Sequence, residues 1–365
     1  MRQEPKTSIG RFFLPGPSEV APEVLAAQTH PMIGHRGSAI HDLIAEIEVG
    51  LKQVFLTERP VILSTSSATG LMEAAIRNGV GQGRVLSLVN GAFSKRFADI
   101  AASCGRIVDV WEVPWGGFHT PEELADRLSS DAYEAVTVTH SETSTGVMQD
   151  LEALARVVAR NDRALLLVDS VTGVCGTEVR TDDWLLDWVF TGSQKAMALP
   201  PGMAFGVASE AMLERSATLP GKGVYFDLVA LTHSLEVLQT PATPAISLMY
   251  ALRFQLERIL AEGLETRWKR HEAMRDRTMG WIGEMSGVGV APFAPEGHRS
   301  PTVTCITLPE RLAGPEVVAG MRERNWVIGS GYGKLKETTI RIGHMGDRTV
   351  GELDYLLDDL ADVIG

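Results

Sequence analysis

The chain is short of what a membrane span, a disulfide framework or a nucleic-acid surface requires. Its 365 residues contain three cysteines, Cys104, Cys175 and Cys305, which are scattered, odd in number and without metal-ligand spacing. That pattern excludes a disulfide scaffold and fits a reducing compartment. The longest apolar runs, such as 164–168, hold a handful of residues, where a membrane helix needs roughly 20. No apolar segment of the kind a secretion signal requires stands in residues 1–8, so a cytoplasmic protein is expected. Positive charge is scarce too: 34 Lys and Arg against 46 Asp and Glu give a net charge of −12, the wrong sign for a phosphate backbone. No nucleic acid and no membrane are expected as partners. Any anionic ligand must be met by a few placed groups rather than by the overall field. His30, His35 and His41 share no spacing tied to carboxylates, so no metal is expected.

What is present is a regular alternation. Short β-branched runs at 61–63, 84–89, 107–113, 135–139, 164–168, 188–191 and 204–208 are separated by helical patterns at 70–77, 94–103, 120–129 and 151–160. Such alternation predicts an α/β architecture with a mainly parallel sheet covered on both faces. The continuous apolar run at 164–168 reads as a strand buried on both sides. Two longer helical patterns follow at 246–260 and 264–284. After them the composition shifts to strands at 302–308 and 338–342 and helices at 316–324 and 350–363. The expected organisation is an N-terminal segment (1–20), a large α/β domain (21–258) and a small C-terminal α+β domain (259–365), consistent with a chain too long for one core.

Ligands of open α/β sheets sit outside the carboxyl ends of the strands. The run at 164–168 leads into Asp169, which could cap the next segment, pair with a structural arginine, or hold a cationic group of a ligand. The next strand leads into Gly192-Ser-Gln-Lys195, followed by Ala-Met-Ala-Leu-Pro-Pro-Gly. A lysine there is either a snorkelling side chain or a partly desolvated amine, which is a Schiff-base nucleophile. Lysine and carboxylate together suit pyridoxal phosphate, whose aldehyde needs an amine and whose pyridine nitrogen needs an acid. Ser64-Thr-Ser-Ser-Ala-Thr-Gly70 opens a helix. It is either an ordinary N-cap or a phosphate cradle, since small hydroxyl residues at a helix N-terminus suit an anion. Gly329-Ser-Gly-Tyr-Gly-Lys334 lacks the spacing of a dinucleotide fingerprint and is set aside.

Over nearly its whole length the sequence resembles the class V aminotransferases of pyridoxal-phosphate fold type I, in the alanine–glyoxylate/serine–pyruvate group. The resemblance is carried by Phe13-Leu-Pro-Gly-Pro17, Met32-Ile-Gly-His-Arg36, His140-Ser-Glu-Thr-Ser-Thr-Gly146, Leu166-Leu-Val-Asp-Ser-Val171, Thr191-Gly-Ser-Gln-Lys-Ala196 and Thr339-Ile-Arg-Ile-Gly-His-Met-Gly346. It implies that Lys195 binds the cofactor as a Schiff base and shuttles the proton, while Asp169 keeps the pyridine nitrogen protonated. Val171 and Phe93 would pack on the ring, Thr143 would hydrogen-bond its phenolic oxygen, and Ser67, Ala68, Thr69 and Gln194 would hold the phosphate. Thr243 would reach the phosphate of a neighbouring subunit, implying a homodimer with shared active sites. Thr240 stands where relatives typically carry tyrosine. Arg341 would clamp the substrate carboxylate in a bidentate pair that lysine cannot reproduce.

The implied reaction is ping-pong transamination through pyridoxamine phosphate, between a small amino acid (alanine or serine) and a 2-oxo acid (glyoxylate or pyruvate). The alternatives within the same fold are donors such as aspartate, ureidoglycine and 2-aminoethylphosphonate; Arg36 could serve as a second anion site for aspartate or a phosphonate, or be purely structural. A cysteine-desulfurase-like lyase would need a mobile-loop cysteine. The last cysteine, Cys305, sits in the strand pattern Thr-Val-Thr-Cys-Ile-Thr, where cysteine is ordinarily inert packing.

Overall fold

The computed structural model describes residues 11–365; the first ten positions of the expected N-terminal segment lie outside the described residues. A seven-stranded sheet organises the larger part. Its spatial order is Val61–Ser64, Ala204–Ala208, Trp188–Gly192, Leu165–Asp169, Tyr133–Thr139, Arg84–Val89 and Ile107–Glu112. Ala204–Ala208 runs antiparallel to both its neighbours; the pairings from Trp188–Gly192 to Ile107–Glu112 are all parallel. Central strands such as Leu165–Asp169 are buried along their whole length, which is why they read as unbroken apolar runs. One apolar core surrounds this sheet and the helices on it, including Ser38–Phe55, Ala68–Gly79 and Ile246–Glu262.

A second core surrounds a five-stranded sheet in the order Arg11–Phe13, Trp326–Ser330, Thr339–Ile342, Thr304–Thr307, Ala291–Pro292. The closing helix Val350–Ile364 lays Leu353, Leu356, Leu357, Leu360 and Ile364 on that core, the three- and four-residue spacing of one helical face. Its start is set by Thr349 and Glu352, which cap each other's backbone N–H groups.

One expectation about boundaries changes. Position 258/259 falls inside the continuous helix Ile246–Glu262, whose hydrogen bonding offers no break; the chain turns instead at Gly263, with φ of +83°. Within the expected N-terminal segment, Arg11–Phe13 pairs in parallel with Trp326–Ile328 and buries Phe13 in the second core. Among the described residues no helix is long and apolar enough to cross a membrane.

The arrangement gathers five loops at one sheet edge. Strands ending in Ser64, Val89, Thr139, Asp169 and Gly192 run in the same direction, so the segments that follow them all emerge together.

Candidate active site

At that edge lies a cavity of about 330 Å³, lined by residues from all five loops. Lys195 and Asp169 face it, with Ser67, Ala68, Thr69, Phe93, Thr143, Val171 and Gln194. Ten of the eleven residues that the sequence nominates therefore converge there or, for Arg341, directly behind it. The exception is Thr243. It is exposed and lines a separate pocket of about 110 Å³ with Ser64, Thr65 and Tyr225.

Lys195 is held from its backbone. Ser18 Oγ donates to its carbonyl at 2.8 Å, Ala198 N donates to the same oxygen at 2.9 Å, and Ser18 N donates to the Gln194 carbonyl at 2.9 Å. The amine itself donates to the Pro15 carbonyl. Gly16, with φ of +116°, passes so close that a Cβ would lie 2.6 Å from Lys195 Cε. Burial pushes the amine down to about 8, the Arg341 guanidinium adds to that, and Asp169 partly offsets it. A buried ammonium with cations for neighbours gives up its proton readily.

Asp169 is the last residue of its strand and 3% exposed. Its Oδ1 accepts from Val171 N at 3.0 Å, whereas among the described residues Oδ2 has only Thr139 Oγ1 at 3.5 Å. Burial raises this carboxyl to about 7, against the Val171 hydrogen bond that lowers it. A buried oxygen so poorly paired suits a cationic N–H as partner. The helix Ala68–Gly79 begins at this cavity with Ser67 as N-cap, and Ser67 makes no capping hydrogen bond from its side chain. Its N-terminus is thus open to an anion.

Arg341 stands in the strand Thr339–Ile342, opposite Cys305 and Gly329. Nε donates to Ser330 O at 2.9 Å and Nη1 to Thr143 O at 3.2 Å, and no carboxylate pairs with it among the described residues. Arg36 is engaged elsewhere: its Nη1 donates to Thr240 O at 2.6 Å and Nη2 to Pro241 O at 3.2 Å, fixing the loop that carries Thr243. Cys305 is buried, and that burial pushes its thiol up to about 11.

Two further residues join the site. Arg96 lines the cavity, lies 4.8 Å from the Phe93 ring centroid and donates to Tyr332 Oη at 3.0 Å. The Arg341 guanidinium sits 5.4 Å from the Tyr332 ring. Arg96 is three positions after Phe93 on one helix, so it shares a face with it; that spacing is the signal by which it could be found. Tyr332 belongs to the 329–334 run, which is no dinucleotide loop yet still contributes a side chain.

A buried amine, a carboxylate with one idle oxygen, an open helix N-terminus and an apolar face at Phe93 and Val171 match the four parts of pyridoxal phosphate: aldehyde, ring nitrogen, phosphate and ring. Fold and cavity together define a fold type I pyridoxal-phosphate enzyme. The Aminotransferase class-V profile matches residues 22–334. An uncharacterized aminotransferase of Methanocaldococcus jannaschii is 38% identical over 92% of this chain and 87% of its own length. The L-aspartate–glyoxylate aminotransferase of Paracoccus denitrificans is 33% identical over 94% of this chain and 88% of its own. Among solved structures, an alanine–glyoxylate aminotransferase from Nostoc sp. superposes with a TM-score of 0.93 at 30% identity, covering 100% of this chain and 97% of that one. The chain belongs to the class V aminotransferase family.

Proposed function

We propose that the enzyme moves an amino group from a small α-amino acid, alanine or serine, to glyoxylate or pyruvate. The observation that carries this reading is Arg341: a guanidinium without a carboxylate partner among the described residues, adjoining the cavity that holds Lys195. A substrate α-carboxylate supplies the missing partner in a bidentate, charge-assisted pair. When bound, pyridoxal phosphate supplies an aldehyde for the amino group and a ring that accepts electrons from the α-carbon.

The chain's own residues do the rest. Lys195 would hold the cofactor's aldehyde and, once freed, would move the α-proton as a general base; in the cofactor-free fold burial already lowers its amine to about 8. Asp169 would hold a proton at the ring nitrogen, Thr143 would donate to the phenolic oxygen, and Phe93 and Val171 would pack on the ring. Ser67, Ala68, Thr69 and Gln194 bind the phosphate. Thr243, exposed and outside its own cavity, reaches the phosphate of a second copy in a homodimer. The apolar surface beside it supports that pairing: Val224 and Tyr225 are 90% and 52% exposed, a patch suited to a protein partner.

One observation favours a second reading. Arg96 lines the cavity with a guanidinium that has no carboxylate partner among the described residues, which suits a donor with a second acidic group, such as aspartate. Initial rates over a grid of alanine and glyoxylate concentrations test the main reading. Parallel double-reciprocal lines are expected; intersecting lines contradict a two-step exchange.

A further inference from the structure

Glu142, in the middle of the His140–Gly146 run, is fully buried. No lysine, arginine or histidine pairs with it among the described residues. A carboxylate in that position persists only if hydrogen-bond donors fill its oxygens, and here they do. Oε2 accepts from Phe93 N at 3.0 Å, Ser94 N at 2.9 Å and Ser94 Oγ at 2.9 Å. Oε1 accepts from Ser144 N at 3.1 Å and Ser144 Oγ at 2.6 Å. Ser144 Oγ in turn accepts from Ala92 N at 3.0 Å. The first three N–H groups of the helix Ala92–Ser103 are therefore taken by two residues of another loop, where the helix dipole favours negative charge. The approach leaves no room for a side chain at position 91, whose Cβ would lie 2.5 Å from Glu142 Cδ and from Ser144 Oγ.

The two segments tied together this way both line the cavity. Phe93 and Arg96 stand on the capped helix, and Ser141 and Thr143 flank Glu142 on the loop. We propose that Glu142 is a positioning residue: it fixes the Phe93 ring relative to Thr143, so that a cofactor held by Thr143, Asp169 and Lys195 meets Phe93 at stacking distance. This rests on the reading of Phe93 and Thr143 as cofactor contacts. Glu142 touches no reacting atom; it acts through the backbone of Phe93.

The test uses the full chain and pyridoxal phosphate. Glu142→Gln keeps the shape but turns one acceptor oxygen into an N–H₂ group facing donors. Dissociation constants come from absorbance titration of the cofactor-free protein, and visible circular dichroism of the bound cofactor reports how rigidly the ring is held. Glu142→Gln is expected to weaken cofactor binding about tenfold and to diminish the visible dichroism, while adding less than about twofold in a Phe93→Leu background, because coupled residues give non-additive effects. An equal loss in both backgrounds would overturn the proposal, as would a lowered Tm with wild-type affinity and dichroism. If Glu142→Gln fails to fold, Ser144→Ala removes the hydroxyl that donates to Glu142 and accepts from Ala92 N, with no change of charge, and should give a smaller loss, about threefold, with the same dependence on Phe93. Failure of the wild-type protein to bind pyridoxal phosphate would instead strike at the cofactor contacts on which the proposal stands, and is seen before any variant is compared.

Discussion

Arg267 Nη2 donates at 2.7 Å to the carbonyl oxygen of Ala196, the residue after Lys195. The same nitrogen pairs with Asp347 at 2.9 Å, and Asp347 follows the strand of Arg341 by a few residues. The Lys195 loop and the Arg341 segment are thus pinned to one buried guanidinium. Asp347→Ala leaves that guanidinium with Glu262 alone on its other nitrogen, and breaking a buried pair by removing one partner costs about 3–5 kcal/mol. A lowered Tm in a thermal melt is the expected result; a shift within about 1 °C would show that Asp347 contributes little.

The Lys195 amine sets a pH dependence for the cofactor-free protein. Its proton is held to about 8 in the fold, against an ordinary 10.5, by burial first and Arg341 second. Between those values the unfolded chain binds more protons, so this group's contribution to stability rises with pH through that window. Asp169 works in the opposite sense: raised from 3.8 to about 7 by burial, it makes the native state the better proton binder, and its contribution falls as pH rises from 3.8 to 7. Only the neutral amine captures an aldehyde. The rate of pyridoxal phosphate uptake should therefore climb to about pH 8 and then flatten, as stopped-flow absorbance would show. A rate still rising about tenfold per pH unit at pH 9 would mean an ordinary lysine. Arg341→Met removes a cation beside the amine and should move the plateau to higher pH.

Gly16 is fixed by what passes over it. At φ of +116° a side chain is strained wherever it points, and here a Cβ would lie 2.7 Å from Lys195 Cδ. Gly16→Ala is expected to slow or abolish cofactor capture by displacing the amine. Uptake at the wild-type rate would contradict the close approach.

On the proposed function, substrate choice divides between the two arginines. Arg341→Gln should raise KM for every amino donor, about 10–100-fold for the loss of charge-assisted hydrogen bonds. Arg96→Gln separates the two donor classes: on the second reading it lowers kcat/KM for aspartate about tenfold more than for alanine. Equal effects on both donors would remove Arg96 from recognition of a second acidic group.

Much of this site was legible in sequence because its parts stand at strand ends. Asp169 follows five apolar residues, and Lys195 stands between a strand and an apolar loop, so their types and places carried chemical meaning before any contact was known. Arg341 was legible only through the motif around it, since an arginine within a strand has no chemistry that spacing reveals. The seven strands of the large sheet were marked by β-branched runs. The helix Ser38–Phe55 and the strand Trp326–Ser330 were not: the former begins at Gly37 without a side-chain cap, and the latter ends in glycine and serine. Arg96, Tyr332 and the idle oxygen of Asp169 depend on contacts between distant segments, which local sequence does not encode. Thr243 lies outside the cavity within one chain, and the sequence alone holds nothing that separates a contact within one chain from one made to a second copy.

The visible absorption of the purified protein, saturated with pyridoxal phosphate and then mixed with alanine, serine or aspartate without any 2-oxo acid, tests the central claim most directly. A yellow band lost on adding one donor, with a near-ultraviolet pyridoxamine phosphate band in its place and its return on adding glyoxylate, is the predicted result; Lys195→Ala should not show the cycle. A protein that stays colourless with added pyridoxal phosphate, or a yellow one that no amino acid bleaches, would contradict transamination at Lys195.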